Sequence, residues 1–190
     1  VAAFEVGSAY LRHDPLERLA RPLLVRLAEQ TGATAQLGIL QGNETVYLLK
    51  EQPRAPVTLV TDVGVRIPAH LTASGRSMLA HLPDAQVRAL FPDAASFPTR
   101  TGRGPASLRA LREVIRVERR QGYAEEQGQV TAGYSSVAAP VFDHGGRPIA
   151  AIALTLPDDD DPPRRARLAG AAVAAADLLT ARISGHRPSA

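Results

Sequence analysis

The sequence predicts an α/β domain of the α+β kind: a mostly antiparallel sheet of about six strands with helices on its faces. Residues 122–156 hold two apolar runs of strand length, Ser135–Asp143 and Ile149–Leu156, joined around Gly145-Gly146 in hairpin fashion. Residues 33–50 repeat that pattern around Gln41-Gly42-Asn43-Glu44. Helical periodicity brackets and separates the two strand clusters. Strands adjacent in sequence pair antiparallel, and helices cover them.

Val1 to His13 carries little pattern and reads as a linker that follows a further domain. Asp14 is placed to N-cap a helix, with Pro15 at its first position and Glu17 completing a capping box. Leu16, Leu19, Ala20, Leu23, Leu24 and Leu27 recur at helical spacing, and Gly32 ends the run. Ala33–Leu40 and Thr45–Lys50 form the first hairpin, Val57–Thr61 a third strand, and Val63–Pro68 a loop leading to His70.

A helix is expected from about Thr72 to Leu82. Thr72, Ala73, Ser74 and Gly75 at its start are small, so another group can approach the backbone closely. Helix-start N–H groups favour an anion by ~0.3–1 kcal/mol at the surface. Ordinary capping by Thr72 or Ser74 uses the same groups, and the two readings are compatible. Met78, a pliable apolar side chain, either lines the same space or packs the core.

Pro83-Asp84 opens a short helix to Leu90, Pro92–Pro105 reads as a loop, and Ser107–Gln121 is an amphipathic helix stopped by Gly122. Leu108, Leu111, Val114 and Ile115 face inward. Arg109, Arg112, Arg116, Arg119 and Arg120 line the other side, balanced only by Glu113 and Glu118. A solvated face is the commoner meaning of such a run; a phosphate-binding face is the sharper one.

In the meander that follows, Glu126, Gln129, Ser135, Ser136 and Thr155 are the few polar groups on an oily pair of strands. They suit the floor of a small-molecule pocket, or hydroxyls bonded only to neighbouring backbone. Asp161 N-caps a last helix, with Pro162 and Pro163 in its first turn. Leu168, Ala171, Ala172, Ala175, Leu178 and Leu179 form its apolar stripe to about Ser184, and residues 186–190 read as a frayed tail.

A chain of 190 residues can bury about 70% of its unfolded surface, so the absence of cysteine leaves no need for staples. That absence is compatible with the cytoplasm. No apolar run approaches the ~20 residues of a membrane span, and no signal-peptide pattern opens the chain. Lys+Arg is 22 against Asp+Glu 19, a net charge of +3, with Lys50 the only lysine. Aromatics make up 4% of the chain, with no Trp. A base-stacking platform for nucleic acid is therefore not expected.

Chemistry-bearing motifs are missing. His13, His70, His81, His144 and His186 form no metal-binding pair, so no metal or cofactor site is expected. There is no G-x-S-x-G elbow, P-loop or G-x-G-x-x-G. Glu125 and Glu126, adjacent in a strand, point to opposite faces and cannot act as a carboxylate pair. No catalytic residue is nominated.

Gly122, Glu126, Ser136, Val137, Ala138, Val141, Phe142 and Asp143 fall in the order and spacing of a signature, and by these residues the chain resembles IclR-type transcriptional regulators. Gln129 stands where that signature usually has Glu. Residues Phe4–Leu11 resemble the end of the family's linker, and His70–Ala80 its pocket-side helix start. The resemblance implies a GAF-like fold, with residues 14–185 as an effector-binding domain and 1–13 as the linker from an N-terminal winged helix-turn-helix. It further implies homodimers or tetramers, no membrane partner, DNA contact only through that N-terminal domain, and a small organic acid as effector.

By matching motif, Ala73, Ser74 and Gly75 at the helix start, with Glu126, Ser136, Ala153 and Thr155, become the effector-site candidates, and Met78 joins them. In members that bind small oxo acids, the position of Glu126 is usually Asp, that of Ser136 often Cys, and those of Ala153 and Thr155 often both Ser. This chain's floor is less polar, which implies a larger or more apolar acid than glyoxylate, an aromatic one included. The rival readings are a small enzyme and a GAF-like sensor with an output other than DNA binding.

Overall fold

The computed structural model describes residues 2–54, 62–158 and 161–188, with side chains from Pro15 onward. Helices α1 (Ala2–Thr31), α2 (Ala73–Leu79), α3 (Asp84–Leu90), α4 (Leu108–Gln121) and α5 (Pro162–Arg182) surround six strands. These are β1 (Thr34–Gln41), β2 (Glu44–Glu51), β3 (Arg66–Pro68), β4 (Ala124–Gln127), β5 (Tyr134–Phe142) and β6 (Pro148–Pro157). They form one antiparallel sheet in the order β3-β2-β1-β6-β5-β4, so the β1–β6 pair at its centre joins the early hairpin to the late meander.

Most of the local expectations hold. Thr72, Ser107 and Asp161 each accept a backbone N–H from three residues on, and Gly122 closes α4 in the left-handed conformation at φ 80°. Four differ. The first helix does not begin at Asp14: its backbone is helical from Ala2, with Pro15 and Pro22 inside. Each proline lacks the N–H that would bond four residues back, yet the helical backbone continues through both, so neither marks an end here. The expected strand Val57–Thr61 lies outside the described residues, whereas Arg66–Pro68, expected as loop, pairs with Glu44–Val46. Glu118 does not join the solvated face of α4; it is buried. The tail is pinned as far as Arg187. His186 donates to the Asp143 carbonyl, and Arg187 pairs with Asp177 at 2.8 Å and lies over the Phe142 ring.

Side-chain alternation gives the sheet two different faces. One face takes Ala35, Leu37 and Ile39 of β1, Val137, Ala139 and Val141 of β5, and Ile152, Leu154 and Leu156 of β6. The apolar stripes of α1 and α5 bury it. At about 25 cal/mol per Å² of apolar area removed from water, this cluster is the main source of stability. The other face carries Thr34, Gln36, Gly38, Ser136, Ala138, Ala153, Thr155 and Glu126, and α2 lies across it. Ser135, grouped by sequence with Ser136, alternates to the first face.

His81, just past α2, packs edge-on against Phe142 at 4.9 Å between centroids. Burial, aided by the Arg119 and Arg187 charges, pushes its pKa down from 6.5 to about 4. Between those values the unfolded chain binds the extra proton. This stability term is therefore complete above pH 6.5 and is lost as the pH falls through 4. Discounted for partial solvent exposure, it is about 1–2 kcal/mol. Read as urea midpoints, wild type should lose stability relative to His81→Gln as the pH is lowered across that window; a constant gap would refute the assignment.

Candidate functional site

The pairing register organises the α2-covered face into two rows that run across the strands. Ala124 pairs with Ala138 and Ala138 with Ala153, giving a row of alanines from β4 to β6 that ends against Gln36 of β1. One step along each strand, Glu126 pairs with Ser136, Ser136 with Thr155 and Thr155 with Thr34. The second row is polar throughout.

Helix α2 meets the alanine row directly: Ala73 packs with Ala124, Ala138 and Ala153 in one buried cluster. Three alanines in register let a helix start settle close to the sheet, which a row of Val or Leu would prevent. Thr72 caps α2 by accepting the Gly75 N–H at 2.8 Å, and its hydroxyl also meets that of Thr45 at 2.8 Å. Capping therefore falls to Thr72 rather than Ser74. The Ser74 hydroxyl is buried beside the Tyr47 phenol, and that of Thr34 is buried without a hydrogen-bond partner among the described residues. Burial pushes the Tyr47 phenol up to about 12; Ser74 is near enough to oppose part of that rise and Glu126 adds to it.

The polar row is linked by hydrogen bonds. Ser136 and Thr155 share one at 2.9 Å, and Thr155 reaches the Gln36 amide oxygen at 3.4 Å. Glu126 Oε1 accepts the N–H groups of Gln129 (2.5 Å) and Val130 (3.0 Å), so its carboxylate fastens the loop after β4. Burial raises the Glu126 pKa, opposed by those two N–H groups, the Arg76 charge and the Ser136 hydroxyl. The result is a chain of donors and acceptors from a titratable acid to a buried amide.

The nominated residues thus separate by role. Glu126, Ser136 and Thr155 share the polar row. Ala73 and Ala153 form the contact between helix and floor, and each is at most 2% exposed. Gly75 faces its own chain: a Cβ there would lie 2.3 Å from the Ala69 carbonyl oxygen. Met78 is fully buried.

Sequence reading missed Thr34, Gln36, Tyr47 and Arg76. Arg76 is 1% exposed in the middle of α2. Its guanidinium donates to Glu118 (2.9 and 3.2 Å), the His70 carbonyl (3.1 Å), the Gln129 amide oxygen (2.6 Å) and the Glu125 carbonyl. One side chain thereby ties α2 to α4, to β4 and to the Glu126-fastened loop. The Glu118 pKa is nonetheless raised, burial outweighing the Arg76 charge and hydrogen bonds. Gln129, the departure noted above, supplies a neutral acceptor to that guanidinium. A lone arginine in the otherwise small and apolar run Leu71–Ala80 was the available signal.

These features describe a class: an α+β domain with a buried polar row beside the seat of a short helix. The match to "Bacterial transcriptional regulator IclR C-terminal" covers residues 8–179, and the chain belongs to that family as the effector-binding domain of an IclR-type transcriptional regulator. It is 36% identical over 152 residues to the HTH-type transcriptional regulator XynR of Escherichia coli K12, covering 80% of this chain and 58% of that protein. A putative IclR transcriptional regulator from Silicibacter sp. superposes with a TM-score of 0.86 at 29% identity, covering 96% of this chain and 73% of that one. An IclR homologue from Microbacterium hydrocarbonoxydans, complexed with 4-hydroxybenzoate, shares the fold with a TM-score of 0.78 at 22% identity, over 89% and 68% of the two chains. Among the described residues no helix is long and apolar enough to cross a membrane.

Proposed function

We propose that this domain senses a small organic acid, held over the row Glu126–Ser136–Thr155 beside the α2 start, and passes the binding event to a DNA-reading domain. The observation that carries this reading is the row itself. Four strands bring three hydroxyls and a carboxyl side by side, with the Gln36 amide in the next row, on the one sheet face where small residues draw a helix close. Buried polar groups are costly unless satisfied, and the Thr34 hydroxyl remains available to a ligand. An acid would turn its carboxylate toward the hydroxyls and its apolar body toward the alanines. A ligand hydroxyl would face Glu126. The 4-hydroxybenzoate held by a structural neighbour has this division of groups and supports an aromatic acid.

In the reading we favour, residues 14–185 form the sensor, residues 1–13 lead from a helix-turn-helix, and the working molecule is a cytoplasmic homodimer or tetramer. The ligand would act by changing how subunits pack. Such couplings amount to ~1–3 kcal/mol, and the ties from Arg76 give α2 a route to α4 and β4. Calorimetry with 4-hydroxybenzoate is the test. Ser136→Ala and Thr155→Ala should each weaken binding by about 1 kcal/mol, close to fivefold. Unchanged affinity in both would remove the polar row from the site.

A further inference from the structure

We infer that the cleft between α4 and the α2–α3 turn is a second binding site, one that takes a small organic carboxylate. The cleft encloses about 180 Å³, with Leu79, Leu82, Val87 and Ile115 among its walls. That is below the ~300–1,000 Å³ usual for drug-sized ligands, which limits the occupant to a small acid of about benzoate size. One rim is formed by Arg112, Arg116 and Arg119 of α4. Their spacing of four and three residues sets three guanidiniums along one helix edge.

Charge in the cleft is unbalanced. Asp84 is the lone carboxylate lining it, and it pairs with Arg112 at 2.6 Å. The Arg112 Nε is buried without a hydrogen-bond partner. Arg116 and Arg119 have no ion pair among the described residues, in contrast to Arg109, which pairs with Glu113. The guanidinium fork matches a carboxylate in a bidentate fashion. Apolar walls on the opposite side favour a ligand with a hydrocarbon part over a bare inorganic anion. The cleft lies at the C-terminal end of α2, about 10 Å along the helix from the alanine row, so it is a separate place from the polar row.

Backbone-amide NMR of the 190-residue chain, titrated with benzoate and separately with inorganic phosphate, tests the inference. Benzoate is expected to shift the amides of Leu82, Asp84, Ile115 and Arg116 saturably. Those shifts should weaken at least tenfold in Arg116→Ala/Arg119→Ala and persist in Ser136→Ala/Thr155→Ala. Because each site reports through its own amides, failure here is distinguishable from failure of the polar row as sensor site. The inference is overturned if benzoate leaves these amides unmoved, if the double arginine variant binds as wild type does, or if phosphate shifts them at the same concentrations.

Discussion

Replacing Arg76 with alanine is expected to destabilise the domain by about 3–5 kcal/mol, the usual cost of stranding one member of a buried ion pair. The cause is specific. Glu118 would be left buried without its cation, its pKa pushed further up, and the carbonyls of His70 and Glu125 would lose their donor. For a domain of this size, about 2–4 °C in Tm accompanies each kcal/mol, so the loss is readable by calorimetry. Glu118→Gln should cost less, because a neutral amide still accepts from the guanidinium. Arg76→Met combined with Glu118→Leu should recover much of the loss, since apolar replacements remove both desolvated charges together. An Arg76→Ala domain that melts with wild type would show that the guanidinium holds nothing together.

The Gly75→Ala variant should lose about 3 kcal/mol or more, above the common range for overpacking, because the obstacle is backbone. The added Cβ would meet the oxygen, Cα and carbonyl carbon of Ala69 at 2.3–2.7 Å, and none of these can rotate away. Either α2 lifts from the alanine row or the chain entering it moves, and 4-hydroxybenzoate binding should fall with stability. Gly170→Ala supplies the opposite sign. That glycine lies inside α5 with nothing within 4 Å of the added Cβ, so relief of glycine's helix penalty should stabilise by about 0.5–1 kcal/mol. Equal melting temperatures for the two variants would contradict both readings of the packing.

Much of the candidate site was legible one strand at a time. Ser136 and Thr155 stand out as hydroxyls on apolar strands, and the small residues at 72–75 mark a helix start that comes close to something. Thr34 and Gln36 were not legible, because their strand gives no local reason to notice them. They become part of the site only when β1 pairs with β6 and sets Thr34 beside Thr155 and Gln36 beside Ala153. Glu118 misled in the other direction. Its spacing matches the charged side of α4, yet it is buried because Arg76, 42 residues earlier, lies beneath it.

The sequence by itself determined the type and order of most elements. Caps, glycine stops and apolar periodicity act over a few residues, and those signals survive in any context. Asp14-Pro15 shows their limit: a capping box is a preference of about 1 kcal/mol, and the helix backbone continues through it. Only the tertiary structure decided which polar groups share a row, which helix end rests on the alanines, and which arginine is buried. Those outcomes depend on strand register and on partners far apart in the chain. Register slides every side chain together, so one pairing choice builds or dismantles the whole site.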